Sequence, residues 1–381
     1  MQRKTFLYRL YPSKPQSRLL DSTLETCRHW YNACLAERKT AYEQEQRTVG
    51  KYDQLARVKD VKATNPYAKN VHSHVLQTVV QDLDKAFDAF FRRVKAQQKA
   101  GYPRFKGRKR WHSFGFKELG NGFKVDGRRL KLSGIGRVAI RWHRPIKGEI
   151  KTLRISKKAG KWYASFSCVV DQPEPLPATG LDVGIDVGLS ALITTSTGEK
   201  VAHPRSYRNG QRALRVAARR VARRTKGSAN RRKAVVLLQR QHEHISNQRK
   251  DFLNKLADNL IKQHDRIALE DLIITRMVHG NLAKSILDAG WGYLVQRLTH
   301  KAESAGRVIA QVCPRYTSKT CSSCGATFAG LTLKDRWVTC RCGLSLDRDH
   351  NAAMNILNRA GQARWSLSSP IGGLGQEAVG L

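Results

Sequence analysis

Residues 180–189 read GLDVGIDVGL. Leu181, Val183, Ile185 and Val187 alternate with Asp182, Gly184, Asp186 and Gly188, which predicts a strand with one apolar face and one face of carboxylates and glycines. Four residues of strand hold the two aspartates about 13 Å apart, so at most one of them serves a given site. Asp186 is the stronger candidate, because Gly184 and Gly188 on either side let another backbone come close. Asp182 reads as a solvated strand-end carboxylate.

Downstream, Arg266-Ile267-Ala268-Leu269-Glu270-Asp271 repeats the alternation and sets Glu270 at the end of a buried strand, with Asp271 on the opposite face. A buried carboxylate needs a partner, and a cation or one of the many arginines satisfies this segment equally. The third acidic group lies in DRDHNAAMNI, residues 347–356, where acids open a helix whose positive end favours them. Alone this is ordinary capping. Together, a strand Asp, a strand Glu and a helix Asp from separate parts of the chain can converge on two Mg²⁺ ions, an arrangement suited to phosphodiester hydrolysis. Without cations, three such carboxylates repel one another and their pKa values are expected to rise.

Four of the eight cysteines cluster: Cys321-Ser322-Ser323-Cys324, then Cys340-Arg341-Cys342-Gly343. Two knuckles at this spacing predict a closed, structural Zn²⁺ site in a reducing compartment. The second knuckle is one residue short, which tightens the turn, weakens the site or passes one ligand to a neighbour such as His350. Cys27, Cys34, Cys168 and Cys313 are scattered and read as small buried apolar side chains.

The chain carries 70 Lys and Arg against 30 Asp and Glu, a formal net charge of +40 over 381 residues. Such an excess calls for a polyanionic partner, and nucleic acid fits because each phosphate contact releases counterions. The basic residues peak between His203 and Lys250, where Glu243 is the only carboxylate. Leu214, Ala217, Ala218 and Val221 keep a thin apolar stripe there, predicting a helical hairpin broken near Gly227. No apolar run is long enough to span a bilayer and the first residues do not form a signal core, so a cytosolic protein is expected.

Upstream, residues 1–12 alternate like a strand. Helices are predicted from Ser17 to about Gln46 and from about His74 to Gln98, the second presenting Leu76, Val79, Val80, Leu83, Phe87, Phe90 and Phe91. Residues 101–170 break into short strand-like runs with turn signals, predicting an antiparallel sheet or barrel. Its aromatics Tyr102, Phe105, Trp111, Phe114 and Phe116 read equally as core or as surfaces on which bases stack. The proline-rich Gln172–Pro177 marks a boundary.

These residues resemble the TnpB family of transposon-encoded proteins, related to type V CRISPR effectors. The likeness runs from YPSKPQSRLL and WYNACLAERKTAY through GIDVG, NRRK, HEHISNQRKDFLNKL and LED to GWGYLVQRLTHKAESAGRVIAQVCPRYTSKTCSSCG and DRDHNAAMNI. It implies an α+β multidomain chain: a wedge-like β-barrel (1–12 and 101–172), a helical recognition lobe (13–100), a RuvC-like nuclease domain of RNase H fold (178–315 and 346–365), a zinc-binding insertion (316–345) and a mobile tail (366–381). It implies Asp186, Glu270 and Asp349 as catalytic Mg²⁺ ligands and Cys321, Cys324, Cys340 and Cys342 as Zn²⁺ ligands. It also implies RNA-guided cutting of DNA by a chain bound as a monomer to a transposon-derived guide RNA. The alternatives are a nuclease-inactive guided DNA binder, which the three acids argue against, a DNA transposase, which the same site also suits, and a passive RNA-binding protein.

Overall fold

The structure is a computed structural model that describes residues 1–108, 110–332 and 334–362, so the tail expected at 366–381 lies outside the described residues. The chain divides into two compact units at Gln172/Pro173.

In the first unit the alternation of residues 2–11 forms strand β1 (Gln2–Tyr11), which buries Phe6, Tyr8 and Leu10. Helix α1 (Lys14–Glu45) follows, opened by a capping box between Ser13 and Gln16. Three short helices that the periodicity does not reveal come next, α2 (Lys51–Ala56), α3 (Val58–Thr64) and α4 (Pro66–Lys69). They span two turns or less, too little for a helical repeat to show. Helix α5 (Ser73–Lys95) buries Val75, Leu76, Val79, Val80, Leu83 and Phe87, but the face ends there: Phe90 is half-buried and Phe91 is exposed.

Seven more strands complete the sheet: β2 (Ser113–Phe116), β3 (Glu118–Leu119), β4 (Gly122–Asp126), β5 (Arg129–Leu132), β6 (Gly136–Arg141), β7 (Glu149–Lys158) and β8 (Lys161–Val170). Their order is β2-β7-β8-β1-β6-β5-β4-β3, and β3 comes back against β7, so the sheet curls almost into a barrel. The long helices α1 and α5 share one apolar cluster with it. The aromatics divide: Phe114 and Phe116 are core, Trp111 is half-buried, and Tyr102 and Phe105 are exposed.

The second unit holds a five-stranded mixed sheet of β9 (Asp182–Val187), β10 (Ala191–Thr195), β11 (Lys200–Ala202), β12 (Arg266–Glu270) and β13 (Val308–Val312), in the order β11-β10-β9-β12-β13. The first three strands are antiparallel, and β9, β12 and β13 are parallel. Between β11 and β12 stands the basic hairpin of α6 (Ser206–Ala222) and α7 (Ala229–Gln263). Its break holds Gly227 at φ +84°. Gly210 meets the Ile245 side chain so closely that a Cβ would overlap it, which brings the two helices together. Leu214 is buried and Ala217 and Val221 half-buried, whereas Ala218 is exposed and lies outside the stripe that its composition suggests.

Helices α8 (Ile274–Met277), α9 (Ala283–Ala289) and α10 (Trp291–Ala305) join β12 to β13. The cysteine-rich segment, with the small hairpin of β14 (Trp337–Thr339) and β15 (Ser345–Asp347), leads into α11 (Arg348–Gln362). Val183, Ile185, Ile267, Leu269 and Ile309 on one face of the sheet form the main core with α7 and α10. The other face receives α11.

Candidate active site

The seat of α11 is a row of small residues. Gly184, Ala268 and Ala310 lie in register across three adjacent strands. A Cβ on Gly184 would overlap the carbonyl oxygen of Ala353 and lie 2.8 Å from the amide nitrogen of Leu357, so only glycine admits the helix. Two residues along the same face, Asp186 on β9 and Glu270 on β12 point to the same side of the sheet, about 6.6 Å beyond the row. One helical turn before Ala353, about 6 Å along the axis, stands Asp349. Matched steps along strand and helix thus carry Asp349 to the two strand carboxylates.

The electrostatics agree. Asp186 is pushed up to about 8, first by burial and then by the neighbouring charges of Glu270 and Asp349, against a smaller opposing effect of Arg348. Burial also raises Glu270, opposed by a hydrogen bond from Thr317 and by the charge of Arg359. The Thr317 hydroxyl donates to Glu270 Oε1 at 2.5 Å, and the Ser190 hydroxyl to Asp349 Oδ2 at 3.5 Å. Three carboxylates crowded in this way form a hard oxygen donor set that divalent cations of the Mg²⁺ class would relieve.

The other nearby acids have separate partners. Asp182 is paired with Arg266, whose Nε donates to Oδ1 at 2.8 Å. Asp347 accepts from the amides of Asp349 and His350 at 3.0 and 3.2 Å and from Lys200 at 2.7 Å. Burial raises Asp347, but these hydrogen bonds outweigh it and leave its pKa lowered. In the run Asp347-Arg348-Asp349, Asp347 therefore caps the helix and Asp349 is left to face the sheet.

The thiols of Cys321, Cys324, Cys340 and Cys342 lie within 4.8 Å of one another and can hold a metal ion. The pairs Cys321–Cys342 and Cys324–Cys340 are 3.6 and 3.5 Å apart, near the edge of roughly 3.8 Å in a tetrahedron of about 2.3 Å metal–sulfur bonds. Both knuckles close on a glycine. The amide of Gly325 returns to the carbonyl of Cys321, four residues back, and that of Gly343 to the carbonyl of Cys340, three residues back. The missing residue thus tightens the turn without displacing a ligand. His350 is not a ligand, because its Nε2 lies 3.1 Å from the carbonyl oxygen of Ser196. The Leu344 amide is the largest influence holding the Cys342 thiol down at about 6, whereas Cys324, despite the opposing Ala326 amide, is raised to about 12 by Cys340 and Cys342, so the cluster shares protons that a metal would displace. Of the scattered cysteines, Cys27, Cys34 and Cys168 are buried as expected, whereas Cys313 is exposed.

Sequence reasoning did not single out Thr317, Asn351 and Asn355, all buried polar residues around the site. The only available signal was the i, i+4 spacing of the two asparagines inside the helix that carries Asp349.

Comparison with known proteins shows the family of the chain. Residues 165–280 match the family model OrfB of IS605 elements, described as "Probable transposase", and residues 291–356 match a "Cas12f1-like, TNB domain". Residues 1–47 match a model described as a helix-turn-helix domain, although in this chain that span is strand β1 followed by the whole of the single long helix α1. A protein of Streptomyces pristinaespiralis named "Putative RNA-guided DNA endonuclease" is 36% identical over 93% of this chain and 89% of its own. A protein of Escherichia coli K12 with the same name and the designation InsQ is 30% identical over 93% and 91%. The Cas12f1 chain solved with guide RNA and target DNA superposes with a TM-score of 0.59 over 94% of this chain and 99% of its own, at 13% identity, and so shares the fold. Identity and coverage at these levels make the chain a member of the TnpB family.

Proposed function

We propose that this protein is an RNA-guided DNA endonuclease of an insertion sequence, cutting at Asp186, Glu270 and Asp349 by a RuvC-like, metal-dependent mechanism. The observation that carries this is the convergence of the three carboxylates from β9, β12 and α11, where burial first, and then the charges of Glu270 and Asp349, lift Asp186 to about 8. The two relatives' names support the reaction, and the net charge of +40 supports the partners.

Asp186, Glu270 and Asp349 would hold a pair of Mg²⁺ ions, which would supply an activated water and stabilise the leaving oxygen. Asp186 must lose its carboxyl proton to ligate, so cation binding is coupled to proton release. The Thr317 hydroxyl occupies one oxygen of Glu270, Oε1. Asp349 sits in the first turn of α11, one helical turn before the seat at Ala353. The exposed arginines and lysines of the α6–α7 hairpin meet the phosphates of guide and target, while base pairing selects the sequence next to a transposon-adjacent motif.

The barrel (1–12 and 101–172) and helices (13–100) serve as wedge and recognition lobe, residues 178–315 and 346–365 as the nuclease, and 316–345 as a zinc module. No helix among the described residues is long and apolar enough to cross a membrane. The working form is a guide-loaded monomer in the prokaryotic cytosol, where four clustered thiols stay reduced and bind Zn²⁺.

The test is to co-express the chain with its transposon-end RNA, sequence the co-purifying RNA, and challenge the complex with a plasmid bearing the matched target beside a randomised flank. Cutting that requires guide and Mg²⁺ is expected. Target binding without cutting would make the protein a guided binder, and strand transfer without RNA would make it a transposase. Purified protein is also expected to carry one zinc per chain, measured by mass spectrometry of the metal. Cys340→Ser should lose that zinc and lower the melting temperature, since binding energy at such a site is folding energy.

A further inference from the structure

One face of α11 reads the backbone of the cysteine-rich segment. Asn351, Asn355, Asn358 and Arg359 share that face at helical spacing. Asn351 Nδ2 donates to the carbonyl of Thr320 at 2.7 Å, and its Oδ1 accepts from the amide of Ser322 at 2.9 Å, so the residues on both sides of Cys321 are held. Asn355 Nδ2 donates to the carbonyls of Thr320 and Thr317 at 2.6 and 2.8 Å. Arg359 holds the carbonyls of Cys313 and Arg315 at 2.9 and 2.6 Å.

Thr317 stands where these contacts meet the carboxylates. It is 3% exposed, and its hydroxyl lies 2.5 Å from Glu270 Oε1 and 3.1 Å from the Pro314 carbonyl. The chain delivers it by turning through a left-handed conformation at Tyr316, φ +63°, which costs energy for a bulky residue and persists only where the surroundings enforce it. Glu270 is thus joined to Cys321 by a short path through Thr317 and Asn355, both buried, and the half-buried Thr320.

We infer that Thr317 is a positioning residue for Glu270 and that the cysteine-bound metal holds Thr317 in place, so that filling the thiol site sets the affinity of the carboxylates for their cations. The inference rests on Asp186, Glu270 and Asp349 being cation ligands. Loss of an outer partner of a metal ligand typically costs about 10–100-fold in metal affinity. Thr317→Val removes the hydroxyl at nearly constant volume, and Thr317→Ser keeps it.

Two readouts serve for the guide complex: the Mg²⁺ concentration for half-maximal cleavage, and polypeptide scission by Fe²⁺ with ascorbate and peroxide, which cuts the chain beside a bound ion. Thr317→Val is expected to need about tenfold more Mg²⁺ and to show correspondingly weaker scission near Asp186 and Glu270, with zinc content and target affinity unchanged. Thr317→Ser is expected to restore both. Cys324→Ser, which empties the thiol site, should weaken scission in the same places. Wild-type behaviour in Thr317→Val, or undiminished scission in Cys324→Ser, would overturn the inference. Wild-type chain that shows no scission near the three carboxylates would instead withdraw the site itself. Should Thr317→Val lose zinc, Thr317→Ala carries the same comparison.

Discussion

Asp186→Asn is expected to abolish cleavage and, in chelator, to make the protein more stable than wild type at neutral and alkaline pH. The loss of activity should exceed about a hundredfold, since the residue is a proposed direct ligand and even outer partners cost up to that much. The stability gain follows from linkage. In the fold Asp186 holds its proton up to about 8, against an ordinary aspartate value of 3.8. Between those values the folded chain binds more protons than the unfolded chain, so stability falls as pH rises through this window. Asparagine is neutral throughout and removes that dependence. Melting temperatures in chelator from about pH 5 to about pH 9 should decline more steeply for wild type than for the variant. Parallel curves would mean that Asp186 is ionised throughout and that the crowding is relieved in another way. Adding Mg²⁺ should reverse the ranking, because it stabilises only the chain that binds it.

The second large effect concerns a residue with no side chain. Gly184→Ala places a methyl group against the backbone of α11 at Ala353 and Leu357, and neither a carbonyl nor an amide in mid-helix can swing aside. The helix must lift from the sheet. Overpacking of this kind costs about 1–3 kcal/mol, and contact with backbone on both sides places Gly184→Ala at the upper end. For a unit of this size that is roughly 6–12 °C in melting temperature. Because α11 carries Asp349, cleavage should fall further than the stability loss alone explains. Gly188→Ala offers the contrast: its Cβ would meet a single carbonyl, that of Ala191 at the start of β10, at 2.9 Å and away from α11, so a smaller loss is expected. Equal melting temperatures for Gly184→Ala and wild type would show that α11 is not seated as described.

Both expectations start from features visible in ten letters of sequence. Alternation with period two put Asp186 on the glycine face, and Gly184 announced the close approach that α11 makes, whereas Gly188 faces the Ala191 carbonyl. Glu270 was legible as an acid ending a buried strand, but its segment did not distinguish a cation from an arginine. The structure shows the contrast directly, since Asp182 has Arg266 and Glu270 has a threonine hydroxyl. Thr317 was not legible. A neutral hydroxyl in a turn carries neither charge nor period, and its importance lies wholly in what the fold brings to it. The short helices between Lys51 and Lys69 escaped for a related reason, being fixed by contacts such as buried Gln54 with Arg38 and the Cys34 carbonyl rather than by a repeat. Ala218 and Phe91 show the opposite error, where an apolar letter near the right spacing faces solvent.

The order in which the carboxylates occur has a consequence during synthesis. Asp186 and Glu270 emerge from the ribosome well before Asp349, which arrives on the last helix described, and the seat at Gly184 stays uncovered until then. The basic hairpin is by that time long complete. On the roles proposed above, a nascent chain could therefore gather RNA through its arginines and lysines while two of its three clustered acids stand without the third, so that capture of nucleic acid would precede competence to cut it. Chains stalled or cleaved before Arg348 would retain the grip and lack the blade.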